Sequence, residues 1–419
     1  MAGRGVHAAA CRGLAGLPGK RRMSTMSTKA EVVVCGAGLS GIAAAYYLAK
    51  QGVTNIKVVT AHAPLTLTSA MSTECYRDFW PTKAMSELNG RSIELMEDRA
   101  VLTNNAFDMT QRGYAYFTGE DETRAKLQAV AESLNSPEVP YRLYGDGPGA
   151  LDVGEYEPIF PGSLPMEHFT DPDATVQPRG IDILAGADAT RLAFPVVGEN
   201  VTAALHARRC GWLSAQQMGM DILNESKAMG VTYVNGQVTA VAAPSGTVET
   251  VTIAPSDGSA AYDIATPVFV NAAGPALQAV HKLLPGRDGH ATDGGRELDL
   301  HNELHAKVIF RDVNGVVPRD SPMMIWADSQ TVWDDDGEGV EWIAEAFGET
   351  MAAKLLETAP AGVHLRPYGH DSLLLLWDHW HSDVHATEPP ELDVQGLIDN
   401  EMYPEVCLRG LSKMIPALG

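Results

Sequence analysis

Between residues 31 and 60, in EVVVCGAGLSGIAAAYYLAKQGVTNIKVVT, the spacing of apolar positions changes twice. Glu31 to Cys35 is a short continuous apolar run of the kind buried on both faces of a parallel sheet. Ala43, Ala44, Ala45, Leu48 and Ala49 then give a small-residue helix suited to lying flat on a sheet, which Gly52 ends. A second strand follows at Ile56 to Thr60. Residues 64 to 81 are polar and hydroxyl-rich without helical period, a loop placed at the open end of that first sheet. The pattern predicts a helix over 84–102, a strand at YAYF after Gly113 and a helix from about 122 to 134. Residues 211–241 read as a helix with Ser214 as N-cap and Gly230 after its end, then a strand. Strands at 248–253 and 267–270 lead into NAAGP, and strands at 304–311, 323–326, 363–367 and 373–377 form a second, more antiparallel sheet.

The turn between the first strand and helix carries Gly36, Gly38 and Gly41 in the G-x-G-x-x-G spacing. Gly36 permits the tight turn, Gly38 lets a pyrophosphate approach bare backbone, and Gly41 lets the helix pack closely on the strand. The phosphate then meets the free N–H groups of Ala37, Leu39 and Ser40 at a helix N-terminus. An acid is expected at the end of the second strand to accept from the adenosine ribose, and this chain has Thr60 there. No Arg stands at that point to read a 2′-phosphate, which disfavours NADP.

At 419 residues the chain exceeds one typical core and predicts two domains. No apolar run approaches the ~20 residues of a spanning helix. The net charge of −22 argues against nucleic acid as a partner. The first thirty residues hold six basic side chains and no acid, leaving 25 basic against 53 acidic residues in the remainder. This predicts an organelle transit peptide over 1–30, mitochondrial ahead of plastid, with a disordered tail and a cytoplasmic chain as the other reading. Five cysteines without a C-x-x-C pair suggest a reducing compartment. Neither H-E-x-x-H nor a clustered Cys/His set is present, so no metal is expected, and without G-x-S-x-G acyl transfer has no support. The acidic run at 334–341 reads as a solvated turn.

With CGAGLSGIAAAYYLA, the GWLSAQQMGMDILNESKAMGV helix, its VTYVNGQVTAV strand and VNAAGP in this order, the chain resembles the FAD-dependent oxidoreductases of the D-amino-acid oxidase type. That family includes glycine oxidase, sarcosine oxidase and dimethylglycine dehydrogenase. The resemblance covers roughly residues 31 to 419. It implies an α/β fold, α+β overall: a Rossmann-like FAD domain over 31–112, 200–300 and 401–419, with an inserted antiparallel-sheet substrate domain over 113–199 and 301–400. It implies FAD held by Gly36, Ala37, Gly38, Leu39, Ser40, Gly41, Thr60, Ser69, Ser72, Thr73, Val238, Ala273 and Gly274. It also implies a further glycine-rich segment closing over the flavin; the chain ends at MIPALG, so the expectation is a truncated product that binds FAD weakly.

The reaction expected is hydride transfer from a small amine or amino acid to the flavin, with oxygen, an electron-transfer flavoprotein or a quinone as electron acceptor. A 2-hydroxy-acid dehydrogenase and a non-catalytic FAD-fold assembly protein are the alternatives. Arg77, in the loop that should face the flavin, offers a fork for a substrate carboxylate, and a salt bridge with Asp78 or Glu74 is its competing role. Arg366, on an apolar strand before Pro367, needs a partner in either reading. His305 and Lys307 alternate on one face of a predicted strand, toward the flavin or toward solvent. Cys75 has only its position to suggest a covalent flavin link. Trp377, His379, Trp380 and His381 read as core aromatics with a polar rim, ahead of a cage over an amine or a zinc-like cluster.

Overall fold

The computed structural model describes residues 28–137, 139–157, 179–284, 291–293, 296–298, 302, 305–333, 341–342, 344–345, 348–378 and 402–419. The basic segment before residue 28, most of the acidic run at 334–341 and the 379–381 histidine–tryptophan cluster lie outside the described residues.

Two sheets organise the chain. The first has six strands in the order Tyr262–Ala265, Thr250–Pro255, Thr232–Ala242, Ile56–Thr60, Val32–Cys35, Val268–Asn271. Its last four are mutually parallel, and the first two add an antiparallel flank. Val33 and Val34 at its centre are fully buried, as a strand covered on both faces requires. Helices Leu39–Lys50 and Ala215–Ala228 pack side by side on one face, with Ile42, Ala45 and Leu223 in the interface. Gly219 eases this approach, because a side chain there would meet Leu39 of the facing helix at 3.1 Å and Leu65 of the following loop at 2.7 Å. Arg99, on helix Lys83–Leu102, ties the bundle together through Asp221, Glu225 at 2.6 Å and the Tyr46 hydroxyl at 3.2 Å.

The second sheet has eight strands: Val308–Arg311, Ser372–Leu376, His364–Tyr368, Met323–Trp326, Tyr114–Thr118, Ala203–Ala207, Ile181–Ala185, Tyr141–Gly145. Most neighbours are antiparallel, but Met323–Trp326 runs parallel to Tyr114–Thr118, and Tyr141–Gly145 to Ile181–Ala185. One face carries Ala115, Phe117, Met324, Leu365 and Leu375 into the largest core. Helix Met402–Ser412 covers that core and crosses so closely that a side chain at Gly410 would strike the Trp377 ring at 2.6 Å. Trp377, 2% exposed, donates Nε1–H to the Pro360 carbonyl at 3.0 Å, a core aromatic as expected.

Two features differ from the sequence expectations. Residues 203–207 and 402–412, read there with the FAD domain, pack with the eight-stranded sheet. The strand expected from 304 begins at Val308, so His305 and Lys307 precede it and share no strand face. All four described cysteines, Cys35, Cys75, Cys210 and Cys407, are free thiols.

Candidate functional site

The parallel strands end together, and their ends are knitted by main chain. Gly36 donates to the Val59 carbonyl at 2.8 Å, and Ala272 donates to the Cys35 carbonyl at 2.8 Å. Gly36 has φ +107°, and a side chain there would collide with the Ala272 carbonyl; one at Gly41 would collide with the Gly36 carbonyl. The backbone that VNAAGP presses against is therefore the glycine turn itself. Ala37 is buried, and its carbonyl accepts from Leu65 at 3.0 Å.

In front of this turn the space is open. A side chain at Gly38 would meet only Ser69 Oγ, at 3.3 Å, and Gly274, at φ +58°, has nothing within 4 Å. Ser69 Oγ accepts from the Leu39 N–H at 3.2 Å, while Ser40 and Gly41 follow in the first helical turn, whose N–H groups lack intrahelical partners. A cradle of bare backbone at a helix N-terminus fits a pyrophosphate. At the end of the second strand the Thr60 hydroxyl donates to the His62 carbonyl at 2.7 Å, which leaves its lone pairs to accept. The Val238 side chain is buried in the core beneath the antiparallel flank, so only its main chain can serve a ligand. Ala273 donates to the Asn271 side chain at 3.3 Å.

The loop at 61–80 crosses from this cradle to the second sheet and is fastened along its length. Lys307 Nζ donates to the Ser72 carbonyl at 2.7 Å, and Arg366 Nη2 to the Thr73 carbonyl at 2.9 Å. Ser72 Oγ accepts from the Glu74 N–H at 2.9 Å, and Glu74 caps helix Ala215–Ala228 through the Ala215 N–H at 2.9 Å. Residues Cys75–Tyr76 then pair antiparallel with Gly211–Trp212. The Cys75 thiol donates to the Thr73 carbonyl at 3.1 Å, and burial pushes its pKa up, which makes it a poor nucleophile for a covalent flavin link. Burial pushes the Lys307 pKa down. His305, about half exposed, pairs instead with Asp378 at 3.0 Å.

Near the end of the loop, Arg77 donates to the Tyr116 hydroxyl at 2.9 Å and lies 4.0 Å over the Trp80 ring. The salt bridge with Asp78 or Glu74 weighed for Arg77 is not among the ion pairs of the described residues; its polar partner is a phenol. Tyr116, Ile325 and His364 are in register across three adjacent strands and so share a face. Burial, reinforced by the Arg77 charge and opposed by Asp378, pulls the His364 pKa down, and its Nδ1 lies 2.7 Å from the Gly362 carbonyl. Burial pushes the Tyr116 phenol up to about 12, against the pull of Arg77. A cation, a neutral imidazole and a phenol thus stand together beside the loop.

Arg366 follows two residues after His364 on the same face and is 3% exposed. Its guanidinium lies between the rings of Trp212 and Tyr368, each 5.3 Å away. Nη1 donates to the Pro367 carbonyl at 3.2 Å, and Glu74 is 3.9 Å away. Nη1 and Nη2 each give one of their two N–H groups to a main-chain carbonyl, and Nε–H has no hydrogen-bond partner. Sequence reasoning missed Tyr116, Trp80 and His364. The alternation of His364 with Arg366 in HLRP was the available signal for the histidine.

Among solved structures, L-proline dehydrogenase from P. horikoshii superposes with a TM-score of 0.63 at 15% identity, covering 94% of this chain and 79% of its own. Glycine oxidase from Bacillus cereus gives 0.55 at 12%, covering 93% and 81%. L-alpha-glycerophosphate oxidase from Mycoplasma pneumoniae, solved with FAD bound, gives 0.54 at 12%, covering 93% and 80%. At such identities the likeness is one of fold. No curated protein sequence matches the chain. The model of the FAD dependent oxidoreductase family, DAO, matches residues 31–388, from the strand before the glycine turn to beyond Arg366 and Trp377. The turn, the parallel strands that carry it and the second sheet facing it all lie within that match, and the chain belongs to the DAO family of FAD-dependent oxidoreductases.

Proposed function

We propose that the enzyme oxidises a small amine or amino acid by hydride transfer to FAD, and that the flavin lies between the glycine cradle and the second sheet. The observation carrying this reading is the open space before Gly38 and Gly274, continuous in sequence and fold with a loop that carries Arg77 and is fastened to the sheet bearing Tyr116 and His364. Main-chain groups from Gly36 to Gly41 would hold the pyrophosphate, Thr60 the ribose, the Val238 main chain the adenine side, and Ser69, Ser72, Thr73, Ala273 and Gly274 the flavin end. The flavin supplies the electron sink. Arg77 orients a substrate carboxylate through nitrogens not engaged by Tyr116. His364, held neutral by burial, is fitted to accept the proton an ammonium substrate loses before oxidation. The electron acceptor is oxygen, an electron-transfer flavoprotein or a quinone.

Absorption bands at about 370 and 450 nm in the purified protein test the cofactor. Anaerobic bleaching of those bands by small amino acids and not by 2-hydroxy acids supports the amine reading. Bleaching by 2-hydroxy acids alone reverses the substrate class, since Arg77 would serve their carboxylate equally.

A further inference from the structure

A second recess is lined in part by Arg366. It is a cavity of about 570 Å³ between the tip of the 364–376 hairpin, the 108–112 segment and the start of helix Ala215–Ala228. None of Arg77, Tyr116, His364 or Lys307 lines it. Its walls carry three guanidinium groups, those of Arg112, Arg319 and Arg366, in a chain whose net charge is −22.

Their hydrogen bonds go to neutral acceptors. Arg112 donates to the Arg319 carbonyl, and Arg319 donates to the carbonyls of Ser372, Tyr368 and Gly369 at 2.7, 3.1 and 2.8 Å. These acceptors are neutral main chain. Arg366 has Nε buried with no hydrogen-bond partner. Glu74, the carboxylate near it, is already engaged by the Ala215 N–H. Trp212 forms the floor, with Arg366 at 5.3 Å and Arg112 at 5.6 Å from its ring. Burial pushes the Arg112 pKa down, with the Asp320 carboxylate opposing and the Arg319 charge adding to it. A buried donor left unsatisfied costs more than an ordinary hydrogen bond returns, so a ligand that satisfies it is favoured.

We propose that this cavity is an anion site for a small metabolite bearing a carboxylate or phosphate group, with Arg366 Nε–H as the buried donor and Arg112 as the outer cation. The site shares Arg366 and Glu74 with the bracing of the 61–80 loop but none of the residues assigned to the substrate, and it does not depend on that reading.

Isothermal titration of the full-length protein with succinate and with inorganic phosphate, against sodium chloride of equal ionic strength, tests it without reference to turnover. Saturable heat below about 10 mM is expected for at least one anion. Succinate alone binding identifies a carboxylate ligand, and phosphate alone a phosphate ester. Arg112→Gln should weaken binding by about fivefold or more. Asp108, exposed on the rim at φ +50°, tolerates asparagine in that backbone conformation, so Asp108→Asn leaves the fold intact and should tighten binding about twofold. Arg366→Lys keeps the charge and removes Nε–H, and should weaken binding as Arg112→Gln does. Heat equal to that of chloride, or affinity unchanged in both Arg112→Gln and Asp108→Asn, overturns the proposal.

Discussion

Arg366 and Thr73 stand 293 positions apart in the chain and meet through a 2.9 Å hydrogen bond from guanidinium to carbonyl. The neighbouring carbonyl, Ser72, is held in the same way by Lys307 at 2.7 Å. Two cations, Arg366 on the second sheet and Lys307 just before its Val308–Arg311 strand, therefore fix main-chain atoms of a loop that leaves the first sheet.

Removing one of these braces should loosen the loop without unfolding the protein. A hydrogen bond from a charged donor contributes about 1.5–3 kcal/mol. Lys307→Met is expected to weaken FAD binding by roughly tenfold while thermal stability changes little, because an apolar chain of similar length suits its half-buried setting. Flavin fluorescence on dilution measures this, and an unchanged dissociation constant would remove Lys307 from the loop's support.

The three glycines of the turn should fail differently. At Gly38 an added side chain meets only Ser69 Oγ at 3.3 Å, so Gly38→Val should fold and lose flavin. At Gly36 and Gly41 the obstacle is main chain, and the positive φ of Gly36 adds strain, so valine at either should also lower the melting temperature. Comparing flavin content with melting temperature separates the classes; a Gly38→Val protein that stays yellow would count against the cradle.

Arg77 is expected to govern substrate affinity. If its free nitrogens grip a carboxylate, Arg77→Ala should raise KM by an amount corresponding to about 2–4 kcal/mol. Tyr116→Phe, which removes only the hydroxyl that orients Arg77, should cost about 1 kcal/mol. Steady-state kinetics with an amino acid and its decarboxylated amine checks both: the two variants should lose discrimination between these substrates.

Asp78 gives a pH signature. Burial raises its pKa to about 6, with Arg209 and the Cys210 thiol opposing. A folded pKa above the unfolded one means that its contribution is fully present below about pH 4 and is lost as pH rises through about 6. Two units correspond to at most about 3 kcal/mol, and partial access of water makes the real figure smaller. Asp78→Asn should flatten the fall in stability between pH 4 and 6, seen in denaturation midpoints across that range. Parallel curves for variant and wild type would contradict this.

The nucleotide cradle was legible in the sequence because it is local: strand, turn and helix lie within thirty residues, and each glycine is needed for a contact inside that span or with a single distant strand. The charge on Arg366 was legible as a problem needing a partner, but Thr73 as its solution was not, since a main-chain carbonyl leaves no trace in composition. Tyr116 and His364 come together only through Ile325, a matter of strand register that alternation within one segment does not specify. The same limit explains residues 203–207, whose apolar AALHA fits either sheet. His305 and Lys307 alternate correctly for a strand, yet the ladder begins at Val308, where pairing with Leu375 starts.

The carbonyl of Ala272 that closes against Gly36 has a consequence for synthesis. The glycine turn is among the first parts of this domain to leave the ribosome, and its opposing wall follows more than two hundred residues later. At about 5–20 residues per second that is an interval on the order of 10–50 s. Throughout it the Val32–Cys35 strand lacks one neighbour, so the nascent chain presents an open apolar edge. Cofactor capture must therefore follow translation of residue 272, and a chaperone that shields the first sixty residues during that interval should raise the yield of folded enzyme.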